Sequence, residues 1–212
     1  MLVAILTLPG FNEIDSFVAL NILGRVRKPG WAVKIAAPEQ RIRSMNDVII
    51  ERGMSLEDMG SADAVIVGSG TRTGEFARDR KFLRLLPLDL NKQLIASQCS
   101  GALILDGLGL LSGLPVCTDE MTKPTLEQAG IRVLDQPLFA DGNLASAGGC
   151  LASQYLAGWI IARLVGVSAA EAALRYVAPA GEKEDYVARA MENVLGFIDP
   201  LRRRSLIASE IP

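Results

Sequence analysis

Short apolar runs alternate along the chain with longer segments in which apolar residues recur every three or four positions. The short runs have the length and composition of buried strands, and we predict strands at 2–8, 32–37, 64–67 and 94–98. The longer segments predict helices at 15–26, 73–85 and 103–111. Alternation of this kind favours a mostly parallel sheet with helices on both faces, so we expect an α/β fold.

Shorter signals predict the remaining elements. The segment 43–51 predicts a short hairpin at the sheet edge, and Asp141-Gly142 predicts a hairpin turn. Residues 122–129 form a helical pattern that a glycine ends, and a strongly apolar helix follows the glycine pair at 148–149. Ser168 has the residue type and spacing of a helix N-cap. Because the sequence shows no repeat or linker, we expect one domain covering residues 1–212.

Charge and hydropathy exclude two classes of partner. The net charge is −2, so the chain lacks the basic surface expected of a nucleic-acid-binding protein. Its basic run, Arg202-Arg203-Arg204, is more typical of the solvated end of a C-terminal helix than of a phosphate site. No window approaches the roughly 18 apolar residues of a membrane span, and the N-terminus has the pattern of a buried strand rather than a signal peptide.

The cysteine and histidine contents narrow the chemistry further. Three cysteines without CxxC spacing argue against a disulfide framework, and we expect a cytoplasmic protein with reduced thiols. The sequence has no histidine, which excludes a Cys–His dyad, a Ser–His–Asp triad and most transition-metal sites. We therefore predict neither a metal nor another cofactor.

The most informative segment is the apolar run that ends at Cys99 and is followed by Ser100-Gly101-Ala102. This pattern predicts a strand, a tight turn with Cys99 at its apex, and a helix. The N-terminus of that helix would favour a thiolate at Cys99, so Cys99 is a candidate nucleophile rather than an inert buried cysteine. A backbone N–H of Gly70, paired with that of Ser100, would form an oxyanion hole.

Two carboxylates follow the first predicted strand, Glu13 and Asp15. Because they are two residues apart on a predicted helix, at most one of them faces the thiol. The facing carboxylate would transfer protons, whereas the other would simply complement the helix dipole.

Taken together, these segments resemble the ThiJ/PfpI superfamily, the class I glutamine amidotransferase-like proteins, and within it the isocyanide hydratase branch and the related sensor domains of AraC-type regulators. The matching pieces are Pro9-Gly10-Phe11 with Asp15, Val67-Gly68-Ser69-Gly70-Thr71, Ser97-Gln98-Cys99-Ser100-Gly101-Ala102, the stretch 102–113, Asp141-Gly142-Asn143-Leu144 and Ser146-Ala147-Gly148-Gly149. The resemblance implies a flavodoxin-like three-layer fold, a homodimer, and an acidic partner of the cysteine at Asp15, with Glu13 as second choice.

The chain departs from this pattern where many relatives carry a histidine. That stretch is Cys117-Thr118-Asp119-Glu120, with Asp119 in the place of the histidine and Thr118 beside it as a further candidate site residue. The departure argues against protease or amidotransferase activity. The resemblance also implies that isocyanide hydratases work with a cysteine and an acid and do not rely on this histidine. They therefore remain the model for the activity of this chain.

Two functions are compatible with these residues. In the first, the chain is a cysteine-dependent hydratase or hydrolase of a small electrophile, for example converting an isocyanide to an N-formamide. In the second, it is a non-catalytic metabolite or redox sensor in which Cys99 oxidises reversibly. Cys117 would then be a candidate resolving thiol, and Cys150 is expected to pack in the core.

Overall fold

An alternation of strands and helices runs through residues 1–198, the part of the chain that the computed structural model describes. In chain order the elements are β1 (Leu2–Leu6), α1 (Glu13–Leu23), β2 (Ala32–Ala36), β3 (Arg41–Arg43), β4 (Ile49–Glu51), β5 (Ala64–Val67), α2 (Thr73–Arg78), α3 (Arg80–Leu83), β6 (Leu94–Gln98), α4 (Gly101–Gly107), α5 (Lys123–Gln128), β7 (Leu138–Asp141), β8 (Leu144–Ala147), α6 (Ser153–Leu164), α7 (Val167–Val177) and α8 (Lys183–Leu195). The basic run at 202–204 lies outside the described residues.

Six strands form the central sheet, in the order β2-β1-β5-β6-β8-β7. All neighbouring pairs are parallel except β7 and β8, which form an antiparallel hairpin at the edge. The turn between β7 and β8 is at Gly142, which has a φ of +59°, as the Asp-Gly pair predicts. The predicted hairpin at 43–51 forms from β3 and β4, as a separate two-stranded sheet.

Alternate residues of the strands face opposite helical layers. On β1, Val3 and Ile5 pack in the cluster that contains Trp159 of α6, whereas Ala4 and Leu6 pack in the cluster on the other face. All four of these β1 residues are fully buried, which is the pattern of a strand inside a parallel sheet. The flavodoxin-like α/β fold that the sequence predicts is therefore confirmed.

The apolar helix predicted after the two glycines is α6, which is preceded by a short 3-10 turn at Cys150–Ala152. Most α6 residues are buried, and Trp159 is fully so. Within residues 1–198 no helix has both the length and the apolar composition that crossing a membrane requires. The apolar character of α6 therefore serves packing against the sheet and its neighbouring helices.

Two helix predictions need correction. The segment 73–85 forms two helices, because Asp79 adopts an extended conformation (φ −81°, ψ 97°) and its side chain accepts hydrogen bonds from the N–H groups of Lys81 and Phe82. An aspartate that caps the next helix cannot also continue the previous one. Ser168 does not cap α7, which begins one residue earlier. The N-cap position is occupied by Gly166, whose φ of +132° is a backbone conformation that glycine adopts readily and other residues do not.

Candidate functional site

Three ionisable groups meet at the carboxyl ends of the parallel strands, where ligands bind in sheets of this type. A carboxylate oxygen of Asp15, Sγ of Cys99 and Sγ of Cys150 all lie within 4.8 Å of one another. The residues come from three segments: the start of α1, the turn after β6, and the turn after β8. One oxygen and two sulfur atoms at this spacing could also hold a metal ion. We refer to them as the acid–dithiol cluster.

Cys99 occupies the predicted elbow. Its φ is +47°, a left-handed conformation that residues other than glycine seldom adopt and that is often found at functional sites. Its N–H donates to the carbonyl of Ala147 at 2.9 Å, which continues the pairing of β6 with β8 for one residue past the strand. The residue is only 4% exposed, so its thiol is shielded from solvent.

Glycines allow the backbone segments around the elbow to pack in direct contact. A Cβ on Gly101 would lie 2.3 Å from the carbonyl oxygen of Val67, and one on Gly70 would lie 2.3 Å from that of Gly10. Neither distance is possible for a residue with a side chain. These two glycines therefore fix how closely the elbow, the loop after β5 and the loop after β1 approach one another.

Asp15 is fully buried, and the start of α1 directs it inward. Asn12 caps this helix, and its Oδ1 accepts a hydrogen bond from the N–H of Ile14 at 3.1 Å. The Ser69 hydroxyl donates a short hydrogen bond to Asp15 Oδ2. Oδ1 is buried and accepts no hydrogen bond from an N–H or O–H donor, and hydrogen bonding with Asp15 is among the causes that raise the pKa of both thiols.

Glu13 is held in a different direction. Its carboxylate accepts hydrogen bonds from the Ser44 hydroxyl and from Asn46, whose Nδ2 lies 2.8 Å from Oε2. The hydrogen bond from Ser44 is the main cause that lowers the pKa of Glu13. Both partners lie in the loop between β3 and β4. Of the two carboxylates that the sequence offered, Asp15 is the one that joins the cluster with the thiols.

Burial raises the pKa of Cys99 far above the usual range of a thiol, and the negative charge of Asp15 raises it further. A hydrogen bond from Gln98 Nε2 to Sγ, 3.2 Å long, acts in the opposite direction but is outweighed. Burial and Asp15 raise the pKa of Cys150 as well. Both effects favour the neutral thiols and act against the stabilised thiolate that the elbow pattern predicts.

The two predicted oxyanion-hole residues meet across the elbow. The N–H of Gly70 donates to Oγ of Ser100 over 3.4 Å, a long and weak hydrogen bond. Gly70 thus lies directly opposite the residue that follows Cys99. Their role in stabilising charge stays a prediction.

Thr118 and Asp119 lie on the far side of the elbow, after the helix α4. The Thr118 hydroxyl donates to the carbonyl oxygen of Cys99 at 2.9 Å and so helps to hold the strained residue. Asp119 Oδ1 accepts from the N–H groups of Met121 and Thr122, each at 3.0 Å, as the cap of a turn. The charge of Asp119 adds a smaller contribution to the raised pKa of Cys99.

The sequence predicts Cys117 as a candidate partner of Cys99 and Cys150 as a core residue, and the structure places the two cysteines the other way round. Cys150, predicted to pack in the core, is half-buried and belongs to the acid–dithiol cluster, where its Sγ accepts a hydrogen bond from Asn12 Nδ2 at 3.3 Å. Cys117, the candidate resolving thiol, is fully buried and outside the cluster. Finding Cys150 requires knowing that β8 pairs with β6, since Cys150 follows β8 closely.

Comparisons with known proteins agree with the overall fold. The model of the DJ-1/PfpI family matches residues 1–163. DJ-1 of Schizosaccharomyces pombe is similar in structure, with a TM-score of 0.72 and 15% identity over 84% of this chain and 100% of that one. A cysteine-to-alanine mutant of the DJ-1 superfamily protein STM1931 from Salmonella typhimurium has a TM-score of 0.71 and 25% identity, covering 83% of this chain and 97% of that one.

An AraC family transcriptional regulator from Pseudomonas putida is similar as well, with a TM-score of 0.71 and 19% identity over 84% of this chain and 98% of that chain. At such identities the likeness of this regulator and of the yeast protein concerns the fold alone. No curated protein sequence gives a significant match.

Proposed function

Because the chain belongs to the DJ-1/PfpI family, we propose that it is a cysteine-dependent hydratase or hydrolase of a small neutral electrophile, with an isocyanide as the first candidate substrate. One observation carries this proposal: the fully buried carboxylate of Asp15 lies beside the thiol of Cys99 at a strained elbow. Backbone strain and a buried carboxylate both cost folding free energy, and such costs are typical of functional sites.

The raised pKa of Cys99 indicates how this pair would work. A thiol that stays protonated at neutral pH is a poor nucleophile until a base removes its proton. A carboxylate oxygen of Asp15 lies within 4.8 Å of that thiol, and hydrogen bonding with Asp15 is one cause of the raised pKa of Cys99. In the proposed reaction Asp15 accepts the thiol proton as sulfur attacks, so the thiolate forms only in the presence of a substrate.

An isocyanide suits this arrangement, since its terminal carbon accepts both a nucleophile and a proton. Cys99 Sγ would bond to that carbon while Asp15 returns the thiol proton to the same carbon, giving a thioimidate. Water would then add across the C=N bond, with its proton passing through Asp15 to nitrogen. Breaking the C–S bond would release the N-formamide and restore the thiol. The backbone N–H groups of Gly70 and Ser100 are proposed to bind the negative charge that develops during addition.

The polar surroundings of the cluster favour an uncharged substrate. The side chains that donate hydrogen bonds to its three members are Ser69, Gln98 and Asn12, all neutral. The carboxylates of Asp15 and Asp119 add negative charge near Cys99. An anionic substrate would be repelled, and the repulsion would be strong in so buried a site.

Turnover of an aryl isocyanide tests the proposal directly. We expect the wild type and the Cys117→Ser variant to produce the N-formamide, measured by liquid chromatography, because Cys117 lies outside the cluster. The Cys99→Ala variant should lose activity by about 10³-fold or more, as expected for loss of a covalent nucleophile. Formamide production by Cys99→Ala at the wild-type rate would contradict the proposal.

The proposed enzyme also has an expected assembly and compartment. DJ-1 family members are commonly dimeric, and we propose a homodimer, which sedimentation equilibrium would distinguish from a monomer. We further propose a cytoplasmic location, because a reducing compartment keeps all three cysteines as thiols.

A further inference from the structure

The second thiol of the acid–dithiol cluster has no part in the reaction proposed above. Cys150 Sγ lies within 4.8 Å of Cys99 Sγ, and both cysteines are free. A disulfide bond between them would require the two sulfurs to approach to roughly 2.05 Å. Two thiols from separate segments, 51 positions apart in sequence, therefore meet at one buried carboxylate.

Hydrogen bonds fix the backbones on which the two thiols are carried. Gln98 Nε2 donates to Cys99 Sγ at 3.2 Å and to the carbonyl of Gly149 at 2.8 Å, and so joins the two turns. The Ser153 hydroxyl is within hydrogen-bond distance of the carbonyl oxygens of Cys150 (2.8 Å) and Asp15 (3.1 Å). Consequently, the thiols and the carboxylate are held as one unit.

The two thiols differ in their access to solvent. Cys99 is 4% exposed, whereas Cys150 is half-buried. Gly149, immediately before Cys150, has a φ of +84° and no atoms packed where a side chain would be. A small oxidant in solvent therefore meets Cys150 first.

We propose that Cys99 and Cys150 are a redox pair that forms a reversible disulfide when a hydroperoxide oxidises the site. Asp15 accepts the proton of Cys150 as Cys150 Sγ attacks the terminal oxygen of the hydroperoxide, and the O–O bond breaks. The products are a sulfenic acid on Cys150 and the alcohol ROH, which takes that proton from Asp15 and is water when the oxidant is hydrogen peroxide. Asp15 then accepts the proton of Cys99 while Cys99 Sγ attacks Cys150 Sγ. The S–S bond forms, the S–O bond breaks, and the hydroxide leaves with a proton as water. The dithiol loses two electrons and the peroxide gains them.

The three cysteines of the chain allow an unambiguous test, since each single Cys→Ser variant leaves only one possible intramolecular pair. The proteins would be treated with a small molar excess of hydrogen peroxide, denatured without reductant, alkylated with iodoacetamide and weighed by mass spectrometry. For Cys117→Ser we expect both remaining thiols to become unreactive, with a mass loss of two hydrogens that dithiothreitol reverses. For Cys150→Ser and Cys99→Ser we expect no intramolecular disulfide.

Each other outcome overturns the proposal. If Cys117→Ser retains two alkylatable thiols, or gains oxygen on either cysteine without cross-linking, Cys99 and Cys150 are not a redox pair. A disulfide in Cys150→Ser would assign the pair to Cys99 and Cys117 instead. The readout is a mass and not a turnover, so its result is independent of whether the chain hydrates isocyanides. If it does, which rests on the proposed function, the disulfide would also switch that activity off reversibly.

Discussion

The turns that follow β6 and β8 begin at the ends of adjacent parallel strands, yet they are built under different constraints. After β6, Cys99 itself adopts the left-handed conformation, and Gly101 packs directly against the backbone of β5. After β8, the left-handed residue is Gly149, and the Cβ position there is open to solvent. The difference teaches that one thiol is shielded at a closely packed turn, whereas the other is more accessible and follows a turn with open space beside it.

Asp15 lies against both turns, and replacing it should produce the largest change in activity. The Asp15→Asn variant is expected to lower isocyanide hydration by about 10²- to 10⁴-fold, the range typical of a lost general acid–base. The negative charge of Asp15 is the second cause of the raised pKa of Cys99, so the same variant should lower this pKa. Iodoacetamide labelling of Cys99 should then begin at lower pH than in the wild type.

The matched control is Glu13→Gln, which removes a carboxylate bound to Ser44 and Asn46 instead. It should change neither the turnover nor the pH at which Cys99 is labelled. If Asp15→Asn lost turnover without any shift in labelling, the carboxylate would be a structural support and not a base.

Replacing a glycine by alanine should destabilise the turn after β6 more than the turn after β8. Gly101→Ala places a Cβ 2.3 Å from a backbone oxygen, and we expect it to lower the free energy of unfolding by about 3 kcal/mol. Gly149→Ala introduces no contact and costs only the left-handed backbone conformation, about 1 kcal/mol. Urea denaturation measures both. Equal losses would show that the two turns are equally constrained.

Because the two thiols differ in solvent exposure, iodoacetamide should label them at different rates. In the Cys117→Ser background, we expect iodoacetamide to label Cys150 about ten times faster than Cys99 at pH 8, because Cys99 is almost fully buried. Since burial raises the pKa of both thiols, both rates should keep rising above the ordinary thiol pKa of about 8.5. Peptide mass mapping over a pH series gives the two rates. Faster labelling of Cys99 would reverse the assignment of the shielded thiol.

The smallest effect is expected from the hydroxyl that holds the elbow from outside. Thr118→Val removes the hydrogen bond to the carbonyl of Cys99, a loss of about 1 kcal/mol of stability. Melting curves and steady-state kinetics together test this. A large loss of turnover with unchanged stability would place Thr118 in the chemistry rather than in the support of the turn.

Local pattern was enough to predict the strands that carry the site. Residues 64–67 and 94–98 form strands with the predicted bounds, because each is a continuous apolar run that ends at polar or small residues. The elbow at Cys99 was equally visible, since a cysteine followed by small residues separates a strand from a helix. The prediction that Ser168 caps a helix was wrong, because the helix begins earlier and its N-cap is Gly166.

Which residues make up the site depends on contacts between segments that are distant in the sequence. Spacing alone left Glu13 and Asp15 as alternatives, and the choice between them follows from the loop between β3 and β4, which binds Glu13. Cys150 was missed because the pairing of β6 with β8 bypasses chain order. The raised pKa of the Cys99 thiol results from burial and a nearby carboxylate, and both depend on contacts that only the fold creates.

The close backbone contacts at Gly70 and Gly101 also limit how such a protein can be redesigned. Directed evolution toward another substrate would find these two positions closed, because any larger residue there pushes whole strands apart. Variation has more room at Asn12 and Asp119, which border the cluster, and at Cys150, which belongs to it; all three are partly exposed. A library restricted to those three positions would alter the polarity and the reach of the site while keeping the Cys99 elbow intact.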